Sequence, residues 1–351
     1  MIGTRPLRLF ESASAAPFYR PEWISDVMVN VGVVGLGPAW EHRYLPVLNK
    51  MRDRIAVRSV YDCVGSRARQ TARNLETRAA SGLLAMAQRS DIDGVLLVDP
   101  AWYGSAAADL LLESDAAVYI AGPLAHSPAD LDRLYARAVS EGRTLMPAMD
   151  RRFTPATNRL QELIATRLGP PQRICVDVND HSNDSQDVPA NNAALPEWID
   201  WCSYLFQTQP TSIEARPLGD GSATPTNVIQ VTFDDDAQGR PRQAELRYAN
   251  QPALDAPQLE TQHEIECQSG SARLSGETCI SWKNGEGTAK ETLNSERCGI
   301  EVTLDQFCRR VVGGLVPIAG LNDVCRCLRA ARGAEESLRA GHPVHLDRPA
   351  I

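Results

Sequence analysis

A strand-like apolar run, Val29-Asn-Val-Gly-Val-Val-Gly35, leads without a linker into Gly35-Leu-Gly37-Pro-Ala-Trp40, and a second such run ends at Asp62. A strand, a glycine turn, a helix and a second strand closed by an acid form the opening of a doubly wound dinucleotide-binding sheet. Glycines at 35 and 37 let the main chain turn tightly and approach a diphosphate, where the unpaired N–H groups of the following helix favour an anion. The cradle falls to Gly35, Gly37, Pro38, Ala39 and Trp40, and Asp62 is placed to hold the adenosine ribose. NAD is the expected cofactor, because a carboxylate repels a ribose 2′-phosphate. Arg67 and Arg69 lie close behind Asp62 and leave NADP open. Trp40 occupies the third small position of the fingerprint, where helix and strand normally pack closely. An indole does not fit that gap, so the helix is expected to tilt or shift, unless the side chain packs outward over the crevice mouth.

A chain of 351 residues exceeds what one hydrophobic core usually supports, so two domains are expected. Residues 1–27 read as an N-terminal extension, either a loose arm or a stretch upstream of a start at Met28. Residues 28–150 read as the Rossmann domain, with strands expected at Val31–Gly35, Val57–Tyr61, Gly94–Val98, Ala117–Ile120 and Thr144–Met146. Ser127-Pro-Ala-Asp130 reads as a helix start that Gly142 closes, and Thr154-Pro155 opens a helix that Gly169-Pro-Pro stops. Residues 151–351 then change period. Strands are expected at Ile174–Val178, Val228–Phe233, Gln243–Tyr248, Thr261–Cys267, Ala272–Leu274 and Cys279–Trp282, followed by helices at Leu304–Val312 and Leu321–Ala340. The fold class is therefore α/β: a Rossmann doubly wound parallel sheet plus a C-terminal α+β domain with a large, open, mostly antiparallel sheet. Its last helices are free to pack back on the first domain.

Charge and cysteine usage narrow the surroundings. There are 44 acidic and 36 basic side chains, a formal charge of −8, which argues against nucleic acid or an anionic membrane as partner. No apolar run is long enough to span a bilayer, and charged residues interrupt the first 27 residues where a secretion signal would need an apolar core. Nine scattered cysteines suit reduced thiols in a cytoplasm. His342 and His345 lack two further ligands at recognisable spacing, so no metal is expected. Asp234-Asp-Asp-Ala-Gln-Gly239 reads as an exposed hairpin connection.

Beyond the glycine turn, Tyr44-Leu-Pro-Val-Leu48, Val60-Tyr-Asp62, Asp91-Ile-Asp-Gly-Val-Leu-Leu-Val98, Pro123-Leu-Ala-His-Ser127, Arg151-Arg-Phe153 and Gly341-His-Pro-Val-His-Leu346 follow in order. In this the chain resembles the glucose–fructose oxidoreductase/inositol dehydrogenase family, Gfo/Idh/MocA, from about Val29 to its end. The resemblance implies hydride exchange between NAD(P) and a sugar, polyol or related small carbonyl compound. It also implies a homodimer or homotetramer formed through the C-terminal sheet.

The resemblance fails at the usual catalytic positions. Where the family reads Glu-Lys-Pro, with the lysine serving proton transfer beside the nicotinamide, this chain has Ala121-Gly122-Pro123. Gly122 and Pro123 keep a backbone place beside the cofactor, but glycine can neither give nor take a proton. The family's helix reading Gly-x-His-x-x-Asp is matched by Leu195-Pro-Glu197-Trp-Ile-Asp200: the aspartate survives and the histidine becomes Glu197. Three residues apart on a helix, Glu197 and Asp200 share a face and form a candidate acid/base pair. The plainer reading makes Glu197 a first-turn acid that stabilises the helix N-terminus. Asp99-Pro100 stands where the family often has Thr-Pro or Asn-Pro near the nicotinamide ribose, making Asp99 a replacement acid/base or an ordinary turn residue. Gly104 replaces a frequent histidine. Arg152 is read as a substrate-anion contact or an interdomain salt bridge, and the loop residue His181 as a substrate contact or a solvated side chain. Three functions stay open: an oxidoreductase with a rebuilt proton relay, a catalytically silent nucleotide-binding scaffold or sensor, and a lyase or hydrolase that recycles tightly bound NAD.

Overall fold

The computed structural model describes residues 27–121, 128–180, 194–218, 226–236, 238–250, 262–314 and 320–346. Gly122, Pro123, Ser127 and His181 lie outside them.

In the first domain β1 (Val29–Val34) runs through a wide helical turn at Trp40–Tyr44 into α1 (Leu45–Lys50). There follow β2 (Ile55–Tyr61), α2 (Gly65–Asn74), β3 (Arg78–Ala79), α3 (Leu83–Ala87), β4 (Gly94–Leu97), α4 (Pro100–Leu111), β5 (Ala117–Ala121), α5 (Pro128–Ser140) and β6 (Leu145–Ala148). All six strands pair in parallel in the order β3-β2-β1-β4-β5-β6. Helices cover both faces of such a sheet, which explains why β4 and β6 are buried at every position rather than alternating. Strand order reverses between β1 and β4. Their C-terminal ends therefore open the crevice in which doubly wound sheets bind ligands.

A short turn at Asp150–Phe153 crosses to the second domain and α6 (Pro155–Leu163), capped by Thr154, whose hydroxyl accepts from the Thr157 N–H. Gly169, at φ 69°, ends the helical stretch as the glycine-proline signal requires. The domain continues with β7 (Pro171–Asp180), α7 (Ala194–Phe206), β8 (Pro210–Leu218), β9 (Thr226–Phe233), β10 (Arg242–Asn250), β11 (Gln262–Cys267), β12 (Gly270–Ser275), β13 (Cys279–Asn284) and β14 (Gly287–Thr292). α8 (Gly299–Val311), α9 (Leu321–Ala340) and β15 (Val344–His345) close the chain. Nine strands form one sheet in the order β14-β13-β12-β11-β7-β10-β9-β8-β15, antiparallel except for the parallel pair β7 and β10.

One face of this sheet is covered by α6, α7 and α9, whose Leu160, Trp201, Phe206 and Ala331 share a core with Ile174, Val231, Leu246 and Ile265. The other face is polar, carrying the ion pairs Arg173–Glu245, Arg247–Glu245 and Arg273–Glu264. Between β9 and β10, Asp236 accepts from the Gln238 and Arg240 N–H groups and pairs with the Arg240 guanidinium. That segment is the expected hairpin connection.

The C-terminal helices tie the domains together. α8 places Phe307 under β4, where a Cβ on Gly94 would lie 2.7 Å from Phe307 Cζ; only glycine admits this approach. Tyr119 of β5 meets Phe307 edge-on at 5.5 Å and hydrogen-bonds Thr303 at 2.9 Å. On α9, Val324, Cys325 and Leu328 join the first domain's core, and Cys327, Ala330, Ala331 and Ala334 join the second's.

Candidate functional site

At the crevice, Gly35 adopts φ 89°, a conformation that side chains oppose, and a Cβ there would sit 2.7 Å from Asp99 Cβ. The first glycine thus serves both the turn and the close passage of the β4–α4 corner. A Cβ on Gly37 would find Asp99 Oδ2 at 3.3 Å and, among the described residues beyond its chain neighbours, no other heavy atom within 4 Å. Gly37 keeps the cradle open, with a carboxylate on its rim. The helix begins at exposed Pro38 and half-buried Ala39.

Trp40 packs inward rather than outward over the crevice mouth. It is 2% exposed in a core with Leu36, Tyr44 and Val98. The helix makes room by widening into a π turn, with the Leu45 N–H donating to the Trp40 carbonyl. The indole therefore lies beneath the cradle rather than in it.

Asp62 ends beside β2, 5% exposed, and accepts from the Leu36 N–H at 2.9 Å and the Val64 N–H at 2.8 Å. Arg67 approaches it at 3.4 Å. Its first task is to brace the glycine turn, and with the Cys63 thiol at 3.8 Å its roughly four acceptor positions are all met, so a ribose hydroxyl would take the place of the long Arg67 or Cys63 contact. Next to it the Cys63 N–H donates to Tyr103 Oη at 3.0 Å and Trp102 Nε1 donates to Cys63 Sγ at 3.2 Å. Gly104, at φ 76° and ψ −178°, interrupts α4 one turn beyond Pro100.

Across the crevice three consecutive residues each take an ion-pair partner. Asp150 pairs with Arg43 at 2.6 Å, Arg151 with Glu197 at 2.9 Å, and Arg152 grips both oxygens of Asp200 and reaches Asp323 at 3.4 Å. Arg152 thus forms salt bridges, but within the second domain rather than between the domains. Asp200 is 2% exposed; burial raises its pKa and the Arg152 guanidinium opposes that rise. Burial likewise raises Glu197, against Arg151. Among the described residues only Oε2 of Glu197 is engaged.

Sequence reasoning missed His263. The strict burial alternation of β11 turns it inward, where it is 4% exposed and stacks on Trp198 at 4.5 Å and Trp201 at 5.7 Å. Arg151 lies on Trp198 as well, 3.9 Å from the ring centre. Burial, then the Arg151 charge, push the His263 pKa down to about 3, so the ring is neutral. Glu197, Arg151, Trp198 and His263 form one continuous stack. The period-two pattern of Gln262–Cys267 contained the signal, since it puts His263 on the same side as Ile265 and Cys267.

Among the described residues no cluster of three His, Cys, Asp or Glu side chains is arranged to hold a metal, and no helix is long and apolar enough to cross a membrane.

Residues 29–149 match the oxidoreductase family with an NAD-binding Rossmann fold, GFO_IDH_MocA. The match spans the first domain, and the family it describes is NAD-binding. Over nearly the whole chain the fold is that of several solved structures. UDP-N-acetylglucosamine 3-dehydrogenase from Acidithiobacillus ferrooxidans superposes with a TM-score of 0.73 at 18% identity, covering 90% of this chain and 99% of its own. Aldose-aldose oxidoreductase from Caulobacter crescentus gives 0.76 at 16%, covering 91% and 100%. The transcriptional regulator Gal80p from Kluyveromyces lactis gives 0.74 at 15%, covering 92% and 95%. At such identities the likeness is one of fold. Among curated proteins, none matches the chain by sequence.

Proposed function

We propose that the chain is an NAD(P)-dependent oxidoreductase acting on a sugar, polyol or related small carbonyl compound, with Glu197 as its proton-transfer group. The open face of Gly37 above a helix start, beside a buried acid at the end of β2, carries the reading. The backbone N–H groups of Gly37, Ala39 and Trp40 would hold the diphosphate, the turn at Gly35 and Pro38 shaping their approach, with Asp62 at the ribose and Asp99 and Pro100 on the nicotinamide side. When bound, the nicotinamide ring supplies the redox chemistry. Gly122 offers no proton donor or acceptor, so the proton falls to a carboxylate. Of three candidates, Asp99 leans on the glycine turn and Asp200 is clamped through both oxygens by Arg152. Glu197 is held through one oxygen and is 19% exposed. Its raised pKa moves it toward the range in which an acid/base group works near neutral pH. Asp200 and Arg152 then brace α7 rather than touch substrate.

Cofactor absorbance followed across a panel of sugars, polyols and their carbonyl forms tests this. Turnover is expected, and Glu197→Gln is expected to lower kcat by ~10²–10⁴ while the fold persists. Full turnover in that variant would remove Glu197 from the mechanism.

A second reading, a nucleotide-binding scaffold or sensor without turnover, is favoured by one observation: the Asp99 carboxylate lies where a diphosphate would approach Gly37. Cofactor binding without exchange over the whole panel would establish it. In either case we propose a homodimer or homotetramer joined through the polar face of the nine-stranded sheet, working in a reducing cytoplasm that keeps the nine free cysteines as thiols.

A further inference from the structure

We infer that a second cavity, at the C-terminal end of α7, binds a small anion rich in acceptor oxygens, a carboxylate- or phosphate-bearing metabolite. The cavity measures about 750 Å³, within the range of small-molecule sites, and lies between the end of α7, the start of β8, α9 and β15. It shares Arg152 with the crevice side and otherwise lies at the opposite end of α7. Glu197 stands in the first turn of α7 and Gln207, on the cavity wall, follows its last; at 1.5 Å per residue that places them about 15 Å apart.

Four guanidinium groups reach this cavity. Arg326, Arg329 and Arg332 recur every third residue along α9, and Arg152 contributes from the interdomain crossover. Each has five N–H donors in a planar fork that suits carboxylate or phosphate oxygens. Among the described residues, protein partners occupy Nε and Nη2 of Arg152 and of Arg326, Nη2 of Arg329 and Nη1 of Arg332. Donors remain on every one. The acceptor side is more nearly used up. Asp323 already serves Arg152, Arg326 and the Gly320 N–H, and Asp234 takes the Thr208 hydroxyl at 3.3 Å. Glu336 also lines the wall, which itself carries four guanidinium groups and three carboxylates, while Asp200, Asp132 and Glu335 pair with Arg152, Arg329 and Arg332 from behind it. The phenol of Tyr204 and the amide of Gln207 add neutral polar groups beside the cationic row. An occupant that brings two or more acceptor oxygens satisfies the guanidinium N–H groups left over on this lining, which an apolar molecule leaves unmet.

The test uses the full chain, titrated calorimetrically with citrate and, separately, with inorganic phosphate, sodium chloride balancing the ionic strength. One saturable site is expected for at least one probe, and the tighter probe tells a carboxylate occupant from a phosphoryl one. In the Arg326→Gln/Arg332→Gln double variant, shown folded by circular dichroism, affinity should fall ~10-fold or more, because each lost guanidinium removes a charge-assisted hydrogen bond. Absence of saturable heat with both probes, or an unchanged affinity in the double variant, would overturn the assignment.

Discussion

Arg152→Met is expected to lower the unfolding free energy by ~3–5 kcal/mol, because it leaves Asp200 buried and charged without its partner. The guanidinium spans Asp200 on α7 and Asp323 on α9, so the loss falls on the seam between the two helices as well as on one ion pair. Removing the second charge should reverse most of this. A buried pair replaced by apolar side chains of similar volume is commonly neutral or stabilising, so Arg152→Met/Asp200→Leu should unfold within ~1 kcal/mol of the unaltered chain. Urea unfolding of the three proteins at neutral pH reads the difference. A loss below ~1 kcal/mol in the single variant would mean that Asp200 is solvated like a surface acid.

His263→Phe should flatten the acid limb of stability. In the folded chain the ring takes a proton only near pH 3, whereas an unfolded histidine does so near 6.5. Between those values the unfolded chain binds more protons, so this contribution is fully present above pH 6.5 and is lost as pH falls toward 3. Between pH 7 and pH 4 the loss is on the order of 3 kcal/mol. Phenylalanine keeps the stack on Trp198 and Trp201 and also removes His263 Nδ1, a buried nitrogen with no hydrogen-bond partner among the described residues. Glu197 and Asp200, both raised, have the opposite sign: their contribution falls as pH rises through their folded pKa values. They are common to both proteins, so the difference between variant and parent isolates His263. Unfolding midpoints at pH 7, 5.5 and 4 supply the comparison, and parallel pH slopes would contradict it.

The first domain is legible in the sequence because its signals are local. A parallel strand buried on both faces must be apolar throughout, and the glycines at 35 and 142 are marked by their own left-handed backbone conformation. The missed strands lack such signals. β14, Gly-Thr-Ala-Lys-Glu-Thr, buries no side chain and is a strand only because β13 pairs with it. β8 contains two prolines and, besides Pro210, only Ile213 and Ala215 as buried positions among its described side chains, and β15 is two residues long. Trp40 broke the expected fingerprint, and the answer lay in the hydrogen-bond pattern of the following turn, which side-chain spacing does not report. The site depended still more on tertiary contact. Glu197 and Asp200 were recognisable as a face of one helix, but their arginine partners sit more than forty positions earlier and meet them only through the folding of the second domain. Sorting Glu197 from Asp200 required seeing one carboxylate held by a single oxygen and the other by two.

The account rests on the glycine turn as a seat for a dinucleotide, and calorimetric titration of the full chain with NAD, NADH, NADP and NADPH measures that directly. Saturable binding of NAD(H) with one site per chain is expected, tightened in Asp99→Asn, where the charge on the rim of Gly37 is gone. Absence of heat with all four cofactors, in both the parent chain and the variant, would contradict it.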